Sequence, residues 1–296
     1  MTASEMPNMI ERTRIVGLKS RSSKVSRIND TSGQWGWTIL VAVIALIVLV
    51  PILVTLILSF TPQSQSSTKG VTLENFIHVF QQTQVLVWLR NSILVTLATV
   101  VVSVVVAAPA GYVLSRGRGK AVSTFSLVLF VAQALPVIVS VIPLFIVFAR
   151  FKLSDNLLGL AIVYISSTMA VAIWMLAAYF DSIPIALEEA AWIDGCSVFG
   201  GFVRMVLRNS FPGILSTAIF AFLLAWNDYL VAIVFLRSNA NFTLPVGLQS
   251  FFAQNSTQWG YVMAVSVIMM LPPIIIFSFL NRYFSLGGIG GSLAGR

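Results

Sequence analysis

The sequence predicts an all-α integral membrane protein with six transmembrane helices, both termini cytoplasmic, and a cytosolic helix between the fourth and fifth spans. Three observations predict it. The chain is 57% hydrophobic and only 9% charged over 296 residues, with a mean hydropathy of +0.92, so too little polar surface remains to cover one soluble core. Six apolar runs each reach the roughly 20 residues that span a bilayer at ~1.5 Å per residue. Lysine and arginine divide unevenly between the two sides that those runs create.

Taken in order, residues 1–37 form a polar tail bearing Arg12, Arg14, Lys19, Arg21, Lys24 and Arg27, the pattern of a topology determinant. The first span, about Thr38 to Phe60, exceeds the ~7–15 apolar residues of a signal peptide, and no small-x-small cleavage site follows it. It is expected to remain as an anchor. A polar turn from Pro62 to Ser67 then leads to Leu73, Phe76, Ile77 and Phe80, spaced as one face of an amphipathic helix on the outer surface. The next three spans run about Trp88 to Leu114, Ala121 to Ala149 and Leu157 to Phe180, and the last two about Gly213 to Leu236 and Tyr261 to Leu280. Pro136 and Pro143 in the third span and Pro272-Pro273 in the sixth each remove an internal hydrogen bond and permit a kink. Pro136 and Pro143 are the first place to look for a hinge.

Thirteen lysines and arginines fall in the N-terminal tail, the 116–120 and 181–212 loops and the C-terminal segment, against five (Lys69, Arg90, Arg150, Lys152 and Arg237) on the other side. The positive-inside rule therefore makes both termini and the 181–212 loop cytoplasmic. The expected organisation is the basic tail over 1–37, a membrane domain over 38–284, and a glycine-rich cytoplasmic tail over 285–296.

A formal charge of +8 raises nucleic acid as a partner, but the basic residues are scattered between apolar runs rather than gathered on one face, so none is expected. Cys196 alone forbids an intrachain disulfide and supplies too few ligands for zinc, and His78 alone leaves no partner for catalytic pairing. With no G-x-x-x-x-G-K-S/T phosphate loop, the chain is expected to be no enzyme and to carry no cofactor or metal of its own.

The stretch EEAAWIDGCSVFGGFVRMVLRNSFPG, residues 188–213, is out of place between greasy spans, since three of the ten acidic residues fall within seven positions. Ser182 is expected to cap a helix with Pro184 in its first turn and with Glu188 and Glu189 in the N-terminal half that the dipole favours. That helix should stop near Asp194-Gly195, where glycine takes a positive φ. Beyond it, Val198, Phe199, Phe202, Val203, Val206 and Leu207 share one helical face, and Arg204 and Arg208 another. Such a helix either lies on lipid headgroups with its arginines snorkelling or fits a groove on a partner protein. The carboxylates favour the partner, because anionic headgroups repel them.

Asp228 is the one acidic residue deep within an expected span, roughly 24 Å along the helix from Pro212. A carboxylate there faces a cavity or a partner, or sits at the interface and merely caps or pairs. Trp226 and Tyr229 fit an aromatic belt, or offer rings to the C–H face of a sugar whose hydroxyls Asn227 and Asp228 would bond. The loop from Arg237 to Trp259 is rich in amides and aromatics and reads as a solvated connector.

The run Glu189-Ala190-Ala191-Trp192-Ile193-Asp194-Gly195, continued by Met205-Val206-Leu207 and Pro212, resembles the EAA loop of bacterial binding-protein-dependent ABC importers, with Arg208 standing where that family usually has proline. Trp226-Asn227-Asp228-Tyr229-Leu230, the stretch Phe242 to Leu248, and Asn281-Arg282-Tyr283-Phe284 before the glycine-rich tail resemble the MalG-like permease subunits of maltose and trehalose-type importers. The likeness covers nearly the whole chain. It implies a multi-pass subunit of the bacterial inner (plasma) membrane, paired with a homologous permease subunit, two ATPase subunits that carry ATP and Mg, and an extracytoplasmic solute-binding protein. It implies ATPase coupling through Glu188, Glu189, Ala190, Ala191, Asp194, Gly195 and Arg204. It further implies a substrate pathway at Trp226, Asn227, Asp228 and Tyr229, with binding-protein contacts at Asn239, Asn241, Phe242, Gln249 and Asn255.

The expected function is that of a permease subunit translocating a sugar, an oligosaccharide or glycoside. The alternatives are a glycerol-3-phosphate or other polyol-type ABC permease, an ion-coupled secondary transporter, and a membrane scaffold whose loop is a surface anchor. A phosphate substrate calls for cavity arginines or lysines, and no basic residue lies well inside a span. An ion-coupled transporter usually carries more spans and more intramembrane ionisable groups than Asp228.

Overall fold

The structure, a computed structural model, describes residues 31–62, 70–252 and 258–288, with side chains placed from 35 and as far as 280. The basic residues of the N-terminal tail, Lys69, Asn255 and the end of the glycine-rich tail lie outside the described residues. By its contacts the chain divides into two units, one ending at Val50 and one beginning at Pro51. Helix α1, Thr31–Ser59, runs across that boundary. Its apolar side chains from Trp35 to Val50 are exposed, a composition suited to lipid.

In the second unit the order is α2 (Glu74–Gln82), α3 (Val85–Arg116), α4 (Lys120–Ala134), α5 (Val137–Arg150), α6 (Leu157–Asp181), α7 (Ala186–Ile193), α8 (Val198–Gly201), α9 (Phe211–Asn227), α10 (Leu230–Phe235), α11 (Leu244–Gln249) and α12 (Trp259–Gly288). Helices α3 and α6 form its spine. A Cβ on Gly111 of α3 would stand 3.0 Å from the Ile173 carbonyl oxygen and 3.1 Å from the Ala177 nitrogen, so the two backbones nearly touch. Ala107, Ala108, Ala172, Ile173 and Leu176 fill the rest of that seam. Within it the hydroxyls of Ser103 and Thr168 meet at 2.8 Å, which satisfies two buried polar groups at once.

Among the described residues four helices are long and apolar enough to cross a bilayer, Trp35–Ser59, Val85–Arg116, Leu157–Asp181 and Trp259–Leu280, and two bent pairs bring the number up to six. The third expected span is not one helix: α4 and α5 meet at 93°. Pro136 supplies no N–H, and its ring pushes Leu135 out of the helical region to φ −78°, ψ 120°. Pro143, Pro272 and Pro273 all stay inside unbroken helices, so the bend belongs to Pro136 alone. The fifth expected span is likewise interrupted, because α9 ends at Asn227 and α10 begins at Leu230.

The expected amphipathic helix forms as α2 and leaves Leu73, Ile77 and Phe80 exposed. Its inward residues are Asn75 and Val79. The Asn75 amide donates to the carbonyls of Ser59 and Thr61 at 2.9 and 2.8 Å. Those two bonds fasten the end of α1 and the residues just after it to α2.

Candidate functional site

The loop after α6 departs from expectation at its start. Ser182 does not cap the next helix; its hydroxyl donates back to the Tyr179 carbonyl at 2.6 Å and closes α6 instead. Helix α7 therefore begins at Ala186, beyond Pro184, with no side-chain cap. Its far end follows the sequence. The Cys196 amide donates to the Ala191 carbonyl at 2.9 Å and the Gly195 amide to that of Trp192 at 3.0 Å, a Schellman ending. It requires the positive φ of 87° that Gly195 takes.

After the turn, Ser197 caps α8 by accepting from the Gly200 amide at 3.1 Å. A π-helical turn over Phe202–Leu207 follows, and Arg208 continues in helical geometry where a proline would have stopped it. The stop comes two residues later, at Ser210, in a 78° bend before α9, with Pro212 in α9's first turn where its missing N–H is harmless. The expected apolar face is split by this path. Phe202 and Val206 are buried, the Phe202 ring 4.6 Å from that of Tyr112, while Val198, Phe199 and Val203 stay exposed.

The seven loop residues likewise separate. Glu189, Ala190, Asp194, Gly195 and Arg204 are exposed, whereas Glu188 and Ala191 are buried. Arg204 lies 3.6 Å from the Cys196 sulfur. Glu188 is gripped from α3: Tyr112 donates its hydroxyl to Oε2 at 2.6 Å, and Arg116 donates Nε to Oε1 at 2.8 Å. Sequence reasoning counted Arg116 only towards topology and missed Tyr112; their spacing of four at the end of a span was the available signal.

The four residues at the end of α9 are also parted. Trp226 is 1% exposed, stacked on Phe222 at 5.6 Å, and donates its indole N–H to the Met269 carbonyl at 3.1 Å. It packs in the core and is not among the residues that line the cavities described next. Asp228 accepts at Oδ1 from the Tyr164 hydroxyl at 2.8 Å and from the Val231 and Ala232 amides at 3.1 Å each. It thus caps α10 and ties it to α6, yet it also lines a cavity of about 200 Å³ with Gln133, Tyr164, Ser167 and Thr168. A neighbouring space of about 400 Å³ shares Gln133 and Ser167. Asn227 and Tyr229 face elsewhere, into a cavity of about 250 Å³ with Gln249, Phe252 and Met269. None of the three cavities is lined by lysine or arginine.

Three of the expected binding-protein residues, Asn239, Asn241 and Phe242, take part in holding their own loop in place. The Trp88 indole N–H donates to Asn239, Asn91 donates to the carbonyls of Ala240 and Phe242, and Asn241 donates to the Asp155 carbonyl. Asn239 and Gln249 remain exposed, Asn241 and Phe242 are half-buried, and Asn255 lies outside the described residues. Asp155, which the sequence did not flag, accepts the Arg237 and Ser238 amides at 2.8 and 3.0 Å. Burial pushes its carboxyl up, but those two amides, with the Ser238 and Asn241 side chains, hold it below the ordinary carboxylate range.

Residues 103–286 match the family described as binding-protein-dependent transport system inner membrane component. The chain is 32% identical over 263 residues to the inner membrane ABC transporter permease protein YcjP of Escherichia coli K12, covering 86% of this chain and 94% of that protein. It is 30% identical over 272 residues to the arabinooligosaccharides transport system permease protein AraQ of Halalkalibacterium halodurans, covering 88% and 97%. A crystal structure of a bacterial ABC transporter that imports the acidic polysaccharide alginate shares the fold, with a TM-score of 0.74 at 22% identity over 86% of this chain and 97% of that one. Motif, helices and relatives converge: the chain belongs to the inner membrane components of binding-protein-dependent transport systems, as a permease subunit of an ABC transporter rather than an enzyme.

Proposed function

We propose that this chain is one of two homologous permease subunits in an ATP-driven importer of an uncharged oligosaccharide or glycoside. It has six spans and cytoplasmic termini, with α7 docked on one of two ATPase subunits. The observation that carries the reading is the division of α7: Glu188 is buried against this chain, while Glu189, Ala190, Ile193 and Asp194 form an open face that the described residues leave uncovered. Charge beside small residues fits the helix-in-groove mode, in which alanines permit close approach. The name of AraQ supports an oligosaccharide as cargo. Asp228 at one cavity, and the absence of lysine and arginine from the lining of all three, supports an uncharged one.

The test is capture of an ATPase subunit by the full chain and by Glu189→Lys and Gly195→Pro. Proline cannot adopt the φ of 87° at residue 195. Both variants are expected to insert in the membrane, to capture little ATPase and to lose uptake; normal uptake by either overturns the docking assignment. Competition by glycerol-3-phosphate, but not by neutral oligosaccharides, overturns the substrate class.

A further inference from the structure

Apolar packing alone is enough to hold a short helix against a membrane bundle, yet α7 is held by charge. Tyr112 and Arg116 stand four residues apart on α3 and so share a face. Between them they occupy both oxygens of Glu188, at 2.6 and 2.8 Å. Arg116 also donates Nη2 to the Ile183 carbonyl at 2.9 Å, and Ser115 donates to Asp181 at the end of α6. Glu188 is 1% exposed and the Arg116 side chain 15%.

A buried pair of this kind is a weak source of stability, because apolar residues of the same volume often serve as well or better. What it supplies is direction. Two charge-assisted hydrogen bonds to two oxygens of one carboxylate fix how α7 is rotated and where it sits along α3. Helix α3 in turn meets α6 backbone to backbone at Gly111. A push on α7 therefore has a stiff route into two long helices, one of which, α6, lines the cavities through Ser167. Glu188 itself points about 100° around the helix from Glu189, so it is free for this task while its neighbour faces outward.

We propose that Glu188 is a positioning residue, locked by Arg116 and Tyr112, that makes α7 and α3 move as one body and so carries displacement of the loop to the cavity. This rests on the reading of α7 as the ATPase-docking helix.

The experiment uses the assembled complex with its ATPase, a Ser167→Cys reporter at the cavity, and Cys196→Ser to remove the native thiol. The probe is ATP with orthovanadate, which traps nucleotide in the closed ATPase. The readouts are trapped nucleotide and the rate at which an impermeant thiol reagent labels the reporter. In the parent, trapping is expected to change the labelling rate about tenfold. Tyr112→Phe removes one hydrogen bond and no packing volume. It is expected to capture ATPase and trap nucleotide as the parent does, but to cut the labelling change to about threefold, with Glu188→Gln at about twofold or less.

A full parental change in both variants overturns the proposal. Loss of ATPase capture or trapping in Tyr112→Phe also overturns it, since the cluster then serves assembly and not transmission. If Glu188→Gln does not assemble, Tyr112→Phe decides alone. A parent complex that traps nucleotide without any change in labelling of the reporter thiol overturns the functional reading itself, and the inference with it.

Discussion

Gly247 lies so close beneath the Trp88 indole that a Cβ there would overlap the ring. Gly247→Ala therefore forces either Trp88 or α11 to move, and overpacking of this kind costs about 1–3 kcal/mol. The purified subunit is expected to melt at a lower temperature, whereas Gly36→Ala, inside α1 with nothing within 4 Å of the added Cβ, is expected not to lower it. Asp155 offers a pH-dependent case. Its carboxyl is held below the ordinary range, so the stability it contributes is full above the unfolded value of ~3.9 and is lost as pH falls through the lower folded value. Asparagine tolerates the φ of 52° that residue 155 takes, so Asp155→Asn removes the charge alone. It is expected to lower the melting temperature by about 2–4 °C at pH 7, with the gap closing at acid pH; an equal gap at both pH values means that the charge is not what counts.

At the scale of elements, the two interrupted spans have different causes. The α4–α5 bend follows from one proline, and the sequence carried that signal plainly. Pro136→Ala restores an N–H and frees Leu135 to become helical. Spin labels at the exposed positions Leu127 and Ile146 are expected to move apart as the 93° bend opens, and uptake is expected to fall; an unchanged distance assigns the bend to neighbouring helices instead. No proline or glycine marks the α9–α10 break. It is held by Asp228 accepting two amides and one tyrosine hydroxyl, and Tyr164 is 64 positions away, so no local pattern announces it. Asp228 joins the two roles that sequence reasoning set apart, cap and cavity residue.

For the whole molecule, the charge count of thirteen against five predicts which ends face the cytoplasm. A reporter placed after Arg208 is expected to read cytoplasmic, and one after Ser250 external. Reaction of a cysteine at 208 with an impermeant thiol reagent in intact cells, or protection of one at 250, requires the topology to be redrawn. The bent helix pairs matter here, because a half-span that returns to its own side changes the count without changing the composition.

The sequence by itself determined what depends on composition and local spacing: a chain too apolar for water, the runs that form its long helices, the glycine turn at 195, and the loop motif that carries the family. Helical periodicity also placed Phe202 and Val206 on one face. It could not say what that face meets. Only the tertiary structure turned Glu188 inward and left Glu189 outward, sent Trp226 into the core, and folded the amides of the 237–242 loop back on this chain. The physical reason is distance along the chain. The partners that decide these fates, Arg116 for Glu188, Met269 for Trp226 and Asp155 for the Arg237 and Ser238 amides, lie 72, 43, 82 and 83 positions away, and only packing brings them within a hydrogen bond.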